Sequence, residues 1–295
     1  MTVQYTIPRH WIRYHPKAIV GELTEAKAAI LSLAGTSLQR SRADDLRDLA
    51  LKREVAGTTR IESADFTERE FEDAISVDVP DDHFSRSQRQ ARAAFYAYRW
   101  MDDLPHERPI DEGLVKELHR RVVTGCDDDH CPPAQYRDDG HNVSFGYPRH
   151  RGAEGGAECR DAVRRLIVAL NGEFRGHDPL VQALALHCHV GAMHPFHDGN
   201  GRTARALEAL VLGRAHPEAA VFIAMSSYYY DEIDTYLATL SEARSRDHDL
   251  TPFIKFGLRG MDLQCRRLLQ SNGRTPVPRE PRLDRPSPKT MEASR

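Results

Sequence analysis

The chain has 295 residues, 40% of them hydrophobic, so it can bury a sizeable core in one large or two small domains. Its 41 basic and 44 acidic side chains give a formal net charge of -3, which argues against a surface field that would attract nucleic acid or an anionic membrane. The N-terminal residues lack the apolar run of a secretion signal, and no stretch of about 18 apolar residues could span a bilayer.

Residues 1–105 are predicted to be an N-terminal helical region, because helical periodicity dominates once the first turn-rich residues are passed. A clear amphipathic helix follows from Ile110 to Val123, with Asp111 as a suitable N-cap. Its apolar side chains recur at the spacing of one helix face, at Leu114, Val115, Leu118 and Val122.

The five cysteines are an odd, scattered set in a chain too long to need disulfide bonds, which favours a reducing cytoplasm. Cys126 and Cys131 have His130 between them and raise the question of a metal site. Zinc pairs are usually spaced C-x2-C with a second pair downstream, and this chain has no second pair. Ordinary loop thiols are therefore the favoured interpretation.

Between Cys131 and Gly156 the composition shifts to Pro, Gly, Asp and His. Two short stretches there resemble strands, Tyr136-Arg137 and Val143-Ser144-Phe145. We predict a long loop that carries a small hairpin.

Three further helices are expected downstream. One covers 161–170 and is stopped by Asn171-Gly172. The next runs from Pro179 to Met193 and is almost wholly apolar, so it should be central. The third covers 201–212 and is broken by Gly213 and Pro217. Residues 271–295 hold five prolines and few apolar groups, and we expect a flexible Pro/Arg-rich tail over 266–295.

The most informative segment is HPFHDGNGRTAR, from His194 to Arg205, between two of these helices. The sequence Gly199-Asn200-Gly201 allows unusual backbone dihedrals just before a helix N-terminus, where successive N–H groups and the helix dipole can converge on a phosphate. Arg202 and Arg205 are one helical turn apart, so two guanidinium groups can hold phosphate oxygens from one face.

Two further residues of the segment suit phosphate chemistry. Asp198 can hold a magnesium ion that bridges the same phosphates. His194 can take the proton that an attacking Ser, Thr or Tyr hydroxyl must lose. Taken singly, these residues have ordinary interpretations as a turn, a solvated helix face and a core histidine. Their combination in twelve positions favours a functional site.

The segment resembles the motif H-x-F-x-D/E-G-N-G-R-x-x-R of the Fic family without a mismatch, with Asp198 at the acidic position. The preceding helix and residues 226–260 are also similar to the family, so the resemblance covers roughly 39–260. It implies an all-α, Fic-type helical bundle with a small β-hairpin flap, whose catalytic domain spans 106–265. It also implies protein adenylyltransfer: AMP moves from ATP to a Ser, Thr or Tyr hydroxyl of a target protein.

The resemblance implies a role for each motif residue. His194 is expected to be the catalytic base and Phe196 the anchor of the loop, while Asp198 holds Mg²⁺. The α-phosphate is expected to lie on Asn200 and the glycine amides, and the outer phosphates on the two arginines: Gly199, Asn200, Gly201, Arg202 and Arg205 form the expected nucleotide site. The flap is expected to align the target by strand addition, through Tyr136, Arg137, Val143, Ser144 and Phe145.

A second signal lies upstream in TTRIES, Thr58 to Ser63, which resembles the family's inhibitory motif S/T-x-x-x-E-G/N. Ser63 stands where the motif has Gly or Asn. The resemblance implies that Glu62 is inhibitory, because its carboxylate would occupy the Arg205 guanidinium that the γ-phosphate needs. The alternative is an ordinary exposed glutamate on a helix surface.

Two other classes of function stay open at this stage. A metal-dependent hydrolase could use His187, His189, His194 and His197, but His187 and His189 point to different sides of a helix and this reading leaves Gly199 to Arg205 unused. A catalytically silent nucleotide-binding regulator would keep the fold without the chemistry. The family also includes transfer of other nucleotides, phosphorylation and AMP removal. Self-modification and a homodimer are compatible with the sequence, and the target protein is not indicated.

Overall fold

The computed structural model describes residues 2–36, 40–76, 83–126, 131–138, 140–146, 149–220, 223–245 and 248–271. Within these residues the fold is all-α with one small sheet, as predicted. The helices are α1 (Pro16–Ala34), α2 (Arg40–Ile61), α3 (Glu68–Ile75), α4 (Arg86–Asp102), α5 (Glu112–Val123), α6 (Ala157–Asn171), α7 (Pro179–Met193), α8 (Asn200–Ala215), α9 (Pro217–Ala220), α10 (Met225–Asp231), α11 (Ile233–Ser245) and α12 (Thr251–Ser271). None of these helices combines the length and apolar character needed to cross a membrane.

Helix α7 lies at the centre of the bundle, as its apolar sequence predicts. Its N-cap Asp178 accepts a hydrogen bond of 3.0 Å from the Leu180 N–H, and Pro179 occupies the first turn, where no N–H is needed. Almost every residue from Leu180 to Met193 is buried, and α8 packs along it. The helix that leads into the motif is therefore a fixed part of the core.

The predictions for α5 and α6 are also confirmed. Asp111 caps α5 by accepting a hydrogen bond of 2.7 Å from the Leu114 N–H. Helix α6 ends at Asn171 with Gly172 as its C-cap, and it begins at Ala157, four residues before the predicted start. Both helices contact the motif loop, α5 through His119 at the Asp198 carbonyl and α6 through Cys159 at the Pro195 carbonyl.

The N-terminal helices pack on the helices that follow the motif. Helix α1 lies along α12, where Glu22 pairs with Arg259 at 2.9 Å and with Lys255 at 3.3 Å. Helix α2 lies against α10, and its buried Glu54 accepts hydrogen bonds from the Ser226 N–H at 2.7 Å and from the Ser226 hydroxyl. The region 1–105 thus shares one core with residues 106–265.

The sheet has three short strands, β1 (Val3–Gln4), β2 (Ser144–Phe145) and β3 (His150–Arg151), in the order β1-β3-β2. Strands β2 and β3 form an antiparallel hairpin, and β1 adds parallel to β3. The prediction that Tyr136 and Arg137 belong to the hairpin is wrong. Both are buried, and Tyr136 instead forms an isolated bridge with Phe196 of the motif loop.

Two predicted boundaries also need correction. Gly213 does not end α8, which continues to Ala215, because glycine weakens a helix by only about 1 kcal/mol and keeps its N–H, whereas Pro217 lacks one. The prediction of a flexible tail is wrong for residues 266–271, because α12 continues to Ser271 and packs Leu268 into the core. The remainder of that tail, residues 272–295, lies outside the described residues.

Candidate active site

The motif loop turns sharply as it leaves α7. His194 takes a left-handed backbone conformation with φ 51° and ψ 58°, and its N–H donates to the Val190 carbonyl at 3.0 Å. Six residues later the chain enters α8. The residues 194–199 therefore form a short connection that is fixed at both ends by buried helices.

The tautomer of His194 follows from its hydrogen bond. Nδ1 lies 2.9 Å from the Gly191 carbonyl, which can only accept, so Nδ1 carries the hydrogen and Nε2 carries the lone pair. Burial, together with the nearby guanidinium groups of Arg244 and Arg137, lowers the pKa of His194 to about 4. The imidazole is neutral near pH 7 and can accept a proton at Nε2.

Phe145 of strand β2 covers His194. The two rings are stacked with centroids 3.9 Å apart and planes 15° apart, and the Arg244 guanidinium lies 4.7 Å from the same Phe145 ring. The hairpin predicted to bind a target thus lies directly over the imidazole.

Phe196 anchors the middle of the loop and is fully buried. Its ring stacks on His119 at 3.6 Å and lies 5.1 Å from Tyr136. Asn200 closes the loop behind it, because its side chain accepts from the Phe196 N–H at 2.8 Å and donates to the Phe196 carbonyl at 2.9 Å. The side chain of Asn200 is therefore used within the loop, and its backbone N–H is the part that faces the helix N-terminus.

Arg137 is a second residue that anchors the loop. It is fully buried, and it donates to the carbonyls of His194 at 2.7 Å, His141 at 2.6 Å and Ala153 at 2.5 Å. One guanidinium thus ties the motif loop to the segment before β2 and the segment after β3. Arg137 fixes the relative position of the hairpin and His194, and it is too deeply buried to pair with a target strand.

The predicted anion site lies at the N-terminus of α8. Gly199 has φ 72°, and a Cβ atom there would come within 2.3 Å of Val123, so only glycine fits. The first N–H groups of a helix have no partner within it and point outward along the positive end of the dipole. The amides at the start of α8, near Asn200 and Gly201, are therefore oriented to receive a phosphate oxygen.

Arg202 and Asp198 form an ion pair at the edge of this site. Arg202 is buried and donates to the Val122 carbonyl at 3.1 Å and to Asp198 Oδ2 at 2.9 Å. The Asp198 side chain is 47% exposed, so its carboxylate lies at the boundary between protein and solvent. One exposed carboxylate next to a phosphate site fits Mg²⁺, which binds through one or two protein carboxylates together with substrate phosphates and water.

Arg205 is directed toward helix α2. Its Nη2 donates to Glu62 Oε1 at 2.6 Å and to the Thr58 carbonyl at 3.0 Å, and its Nε donates to Thr58 Oγ1 at 2.8 Å. Glu62 also lies against Gly201, where a Cβ atom would come within 2.4 Å of Oε1. The structure thus brings the TTRIES segment and the motif into direct contact.

Several residues of the site were not singled out by sequence reasoning. His119 donates from Nε2 to the Asp198 carbonyl at 3.0 Å and accepts at Nδ1 from the Ala134 N–H at 3.0 Å. Burial lowers the pKa of His119 to about 4, so it stays neutral in this clamp. Its position on the apolar face of the predicted α5, one turn after Val115, was a usable signal.

The cysteines and the clustered histidines have structural surroundings. All five cysteines are free thiols and buried. His187 contacts Glu208 and Tyr236, and His189 contacts the Trp11 carbonyl. Within the part of the chain that the structure describes, no group of three His, Cys, Asp or Glu side chains is arranged to hold a metal ion. His130 lies outside the described residues.

Comparison with known proteins gives matches in both sequence and fold. Residues 109–212 match the model of the Fic/DOC family. A Fic family protein from Desulfovibrio desulfuricans G20 is 22% identical with a TM-score of 0.73, over 94% of this chain and 78% of that one. Fic-1 from C. elegans is 20% identical with a TM-score of 0.69, over 87% of this chain and 73% of that one.

A third structure, of a Fic domain containing signaling protein from Bacteroides thetaiotaomicron VPI-5482, is 19% identical with a TM-score of 0.64. The match covers 84% of this chain and 97% of that one. At these identities the likeness concerns the arrangement of the helices, and it extends well beyond the segment matched by the family model.

Proposed function

This chain carries a Fic domain at residues 109–212, and from that premise we propose that it transfers AMP from ATP to a hydroxyl of a protein. The coarser property, transfer of a phosphate-containing group to proteins, is general to the family. The observation that supports attack by a hydroxyl is the neutral His194 with its Nε2 lone pair, in the loop that leads into the N-terminus of α8, whereas the choice of AMP rests on the resemblance of the motif to the family. A base and an anion site in one short loop suit attack of a hydroxyl on a phosphate.

In this proposal each group has one task. His194 Nε2 takes the proton of the target hydroxyl, and the α8 amides near Gly199 and Gly201 stabilise the charge that develops on the α-phosphate. Arg205, once released from Glu62, binds the outer phosphates. Mg²⁺ would be held by Asp198 and would neutralise phosphate charge. The resemblance also assigns Arg202 to the outer phosphates, but its guanidinium is buried on the Val122 carbonyl, so its role in this proposal is to orient the Asp198 carboxylate through their 2.9 Å contact.

We propose that the target is aligned by the hairpin. Strand β3 is paired on both sides, by β2 and by the N-terminal β1, so the outer edge of β2 is the edge nearest His194 that could add a strand. Ser144 is exposed on β2, whereas Phe145 points to the imidazole. A target peptide on this edge would place its hydroxyl near Nε2 and would displace or slide past the Phe145 ring.

We propose further that Glu62 keeps the enzyme inhibited at rest. Its carboxylate occupies the Nη2 atom of Arg205, and one guanidinium edge holds one anion at a time. The γ-phosphate of ATP would compete for this position. We also propose a cytoplasmic location, where ATP and Mg²⁺ are abundant and the buried thiols stay reduced.

The deciding experiment uses two labels. The protein is incubated with Mg²⁺ and either α-labelled or γ-labelled ATP, and label retained on protein is measured. AMP transfer predicts α label on the protein and none from γ. Retention of γ label would indicate a kinase, and no label with intact ATP binding would indicate a silent regulator. The same assay with other labelled nucleoside triphosphates tests nucleotide preference, and label on the protein itself reports self-modification.

A further inference from the structure

Behind Arg205 lies a line of three buried polar residues, Glu208, His187 and Tyr236, which we call the relay. Their side chains are 1%, 1% and 3% exposed, and Arg205 is 2% exposed. His187 Nδ1 contacts Glu208 Oε2, His187 Nε2 lies 2.9 Å from the Tyr236 hydroxyl, and Arg205 Nη1 donates to that hydroxyl at 3.3 Å. The relay connects α7, α8 and α11 to the guanidinium.

The direction of these hydrogen bonds is fixed by the groups involved. Arg205 can only donate, so the Tyr236 oxygen accepts from it and the Tyr236 hydrogen must go elsewhere. The partner available to that hydrogen among the described residues is His187 Nε2, which must then carry a lone pair. A neutral imidazole with a lone pair on Nε2 has its hydrogen on Nδ1, and this hydrogen goes to Glu208.

The opposite direction of these hydrogen bonds would leave one buried group without a partner. If Glu208 were protonated and donated to Nδ1, then Nε2–H and Arg205 would both donate to the Tyr236 oxygen, and the Tyr236 hydrogen would be buried without an acceptor. Tyr229 also donates to Glu208 at 2.7 Å, which suits an acceptor carboxylate. Burial lowers the pKa of His187, in keeping with a neutral ring.

The relay contacts Arg205 at Nη1, whereas α2 and the turn after it contact Nε and Nη2. Three hydrogen bonds of the guanidinium go to Thr58 and Glu62, which belong to α2 and the turn after it. Tyr236 belongs to α11 and provides the remaining contact. If Glu62 withdraws, the contact to Tyr236 does not have to change.

We propose that Glu208, His187 and Tyr236 are positioning residues, which hold the Arg205 guanidinium in the orientation that binds the outer phosphates of ATP. The inference rests on the proposed function, because it assigns Arg205 to those phosphates. The proposal predicts different effects on the binding of ATP and of AMP. AMP lacks the outer phosphates, so the loss of the relay must weaken binding of ATP and leave binding of AMP unchanged.

The simplest alternative is that these residues only fill the core. The rings of Tyr229, Tyr236 and Phe253 pack against His187, so a large substitution would damage the bundle. Tyr236→Phe keeps the ring and removes only the hydroxyl. Tyr228→Phe is the matched control, since Tyr228 is also buried among these aromatic residues and its hydroxyl makes only a 3.4 Å contact, to the Phe256 carbonyl.

The test measures the Kd of ATP and of AMP by calorimetry in protein that carries Glu62→Gly, so that Arg205 is available. Without the Tyr236 hydroxyl the Arg205 guanidinium must be ordered when ATP binds, and ordering a long side chain costs up to about 1.5 kcal/mol, so Tyr236→Phe should raise the Kd of ATP by up to about tenfold. The Kd of AMP should stay within about twofold, and Tyr228→Phe should change neither. In an Arg205→Ala background, Tyr236→Phe should have no further effect on ATP binding.

Each other outcome counts against the proposal in its own way. If Tyr236→Phe weakens ATP and AMP equally, the residue is a packing element and the relay has no positioning role. If both ligands bind and neither affinity changes, the relay proposal alone is wrong. If the Glu62→Gly protein binds neither ligand, the proposed function is wrong and the relay proposal fails with it.

Nitrogen chemical shifts of ¹⁵N-labelled histidine give a readout independent of nucleotides. The relay order predicts that His187 is the Nδ1–H tautomer at pH 7. An Nε2–H tautomer in the unmodified protein would overturn the order.

Discussion

Arg205 Nη2 and Glu62 Oε1 lie 2.6 Å apart, although 143 residues separate them in the chain. The contact joins the N-terminal region to the helix that carries the anion site. Arg205 is buried, whereas the Glu62 side chain is 28% exposed, so the carboxylate is the partner that can leave. The pair therefore has the geometry of a contact that a stronger anion can displace.

We expect Glu62→Gly to increase incorporation of α label, into the protein itself or into its target. A charge-assisted hydrogen bond contributes about 1.5 to 3 kcal/mol, so removing the competitor should raise activity roughly ten- to a hundredfold. Thr58 still holds two atoms of the guanidinium, which favours the lower part of that range. The measurement is initial rate at fixed ATP and Mg²⁺.

Two further variants separate charge from backbone effects. Glu62 is the first residue after α2, so glycine there does not interrupt a helix interior, and Glu62→Gln should activate as well. Activation by Gly alone would assign the effect to a loosened turn, and no activation by either folded variant would rule out inhibition by Glu62. Glu62→Gly combined with Arg205→Ala should be inactive again.

His194→Ala should abolish transfer and leave ATP binding nearly unchanged, because Nε2 acts on the attacking hydroxyl and not on the triphosphate. Loss of a general base typically costs about 100- to 10,000-fold in rate. Rates of α-label transfer and the Kd of ATP are measured on the same preparation. A variant that retains more than about a tenth of the rate would remove His194 from the proton transfer.

The sequence predicted the parts of the site that are contiguous. Helix α7, the loop and the start of α8 follow from local signals at Pro179 and Gly199, and the motif lies within twelve residues. Arg137 was misplaced because a Tyr-Arg pair in a loop looks like exposed strand. Its burial depends on carbonyls contributed by three separate segments, which no local pattern contains.

The pairing of β1 with β3 and the relay were not predicted from the sequence, for the same reason. Val3 pairs with His150 across about half of the chain, and a two-residue strand has no periodicity to detect. Glu208 lies on the helix that the sequence did predict, but its burial depends on His187 and Tyr229, which come from two other helices. The pairing and burial of these residues depend on contacts between segments far apart in the chain, so only the three-dimensional structure identifies them.

Asp198→Ala should weaken the dependence of transfer on Mg²⁺. The carboxylate is the exposed acidic group next to the α8 N-terminus, and we expect the Mg²⁺ concentration for half-maximal activity to rise about tenfold or more, equivalent to one charge-assisted contact. Asp198→Asn is the control, because an amide oxygen can still accept from Arg202. Superimposable Mg²⁺ titrations of all three proteins would exclude Asp198 as the ligand.

The pH dependence of transfer should show how the stacked Phe145 ring affects the pKa of His194. Burial lowers the pKa of His194 to about 4, so its neutral, proton-accepting form is lost only as the pH falls through about 4, and kcat/KM should be flat from about pH 5 to 7. Phe145→Ala exposes the ring and should move its pKa toward the free value of about 6.5. Activity would then fall as the pH drops below about 6.5.

The matched variant for this test is Phe145→Leu, which keeps an apolar cover over the imidazole. Both variants are assayed in the Glu62→Gly background, and the His194 ring is titrated by NMR in parallel. If kcat/KM of Phe145→Ala and of the parent protein falls over the same acidic pH range, stacking by Phe145 does not control the basicity of His194.

Ser63→Gly should stabilise the protein and tighten its resting state. Ser63 has φ 65°, a left-handed conformation that costs an L-residue roughly 1 to 2 kcal/mol, whereas glycine adopts it freely. Glycine also gains freedom in the unfolded chain, so we expect a net gain of about 0.5 to 1 kcal/mol in the free energy of unfolding, measured with urea. Because Ser63 directs the turn that holds Glu62 against Arg205, basal transfer should fall at the same time. Ser63→Ala has the same backbone requirement and should change neither quantity. A Ser63→Gly protein less stable than Ser63→Ala would show that this turn is not strained.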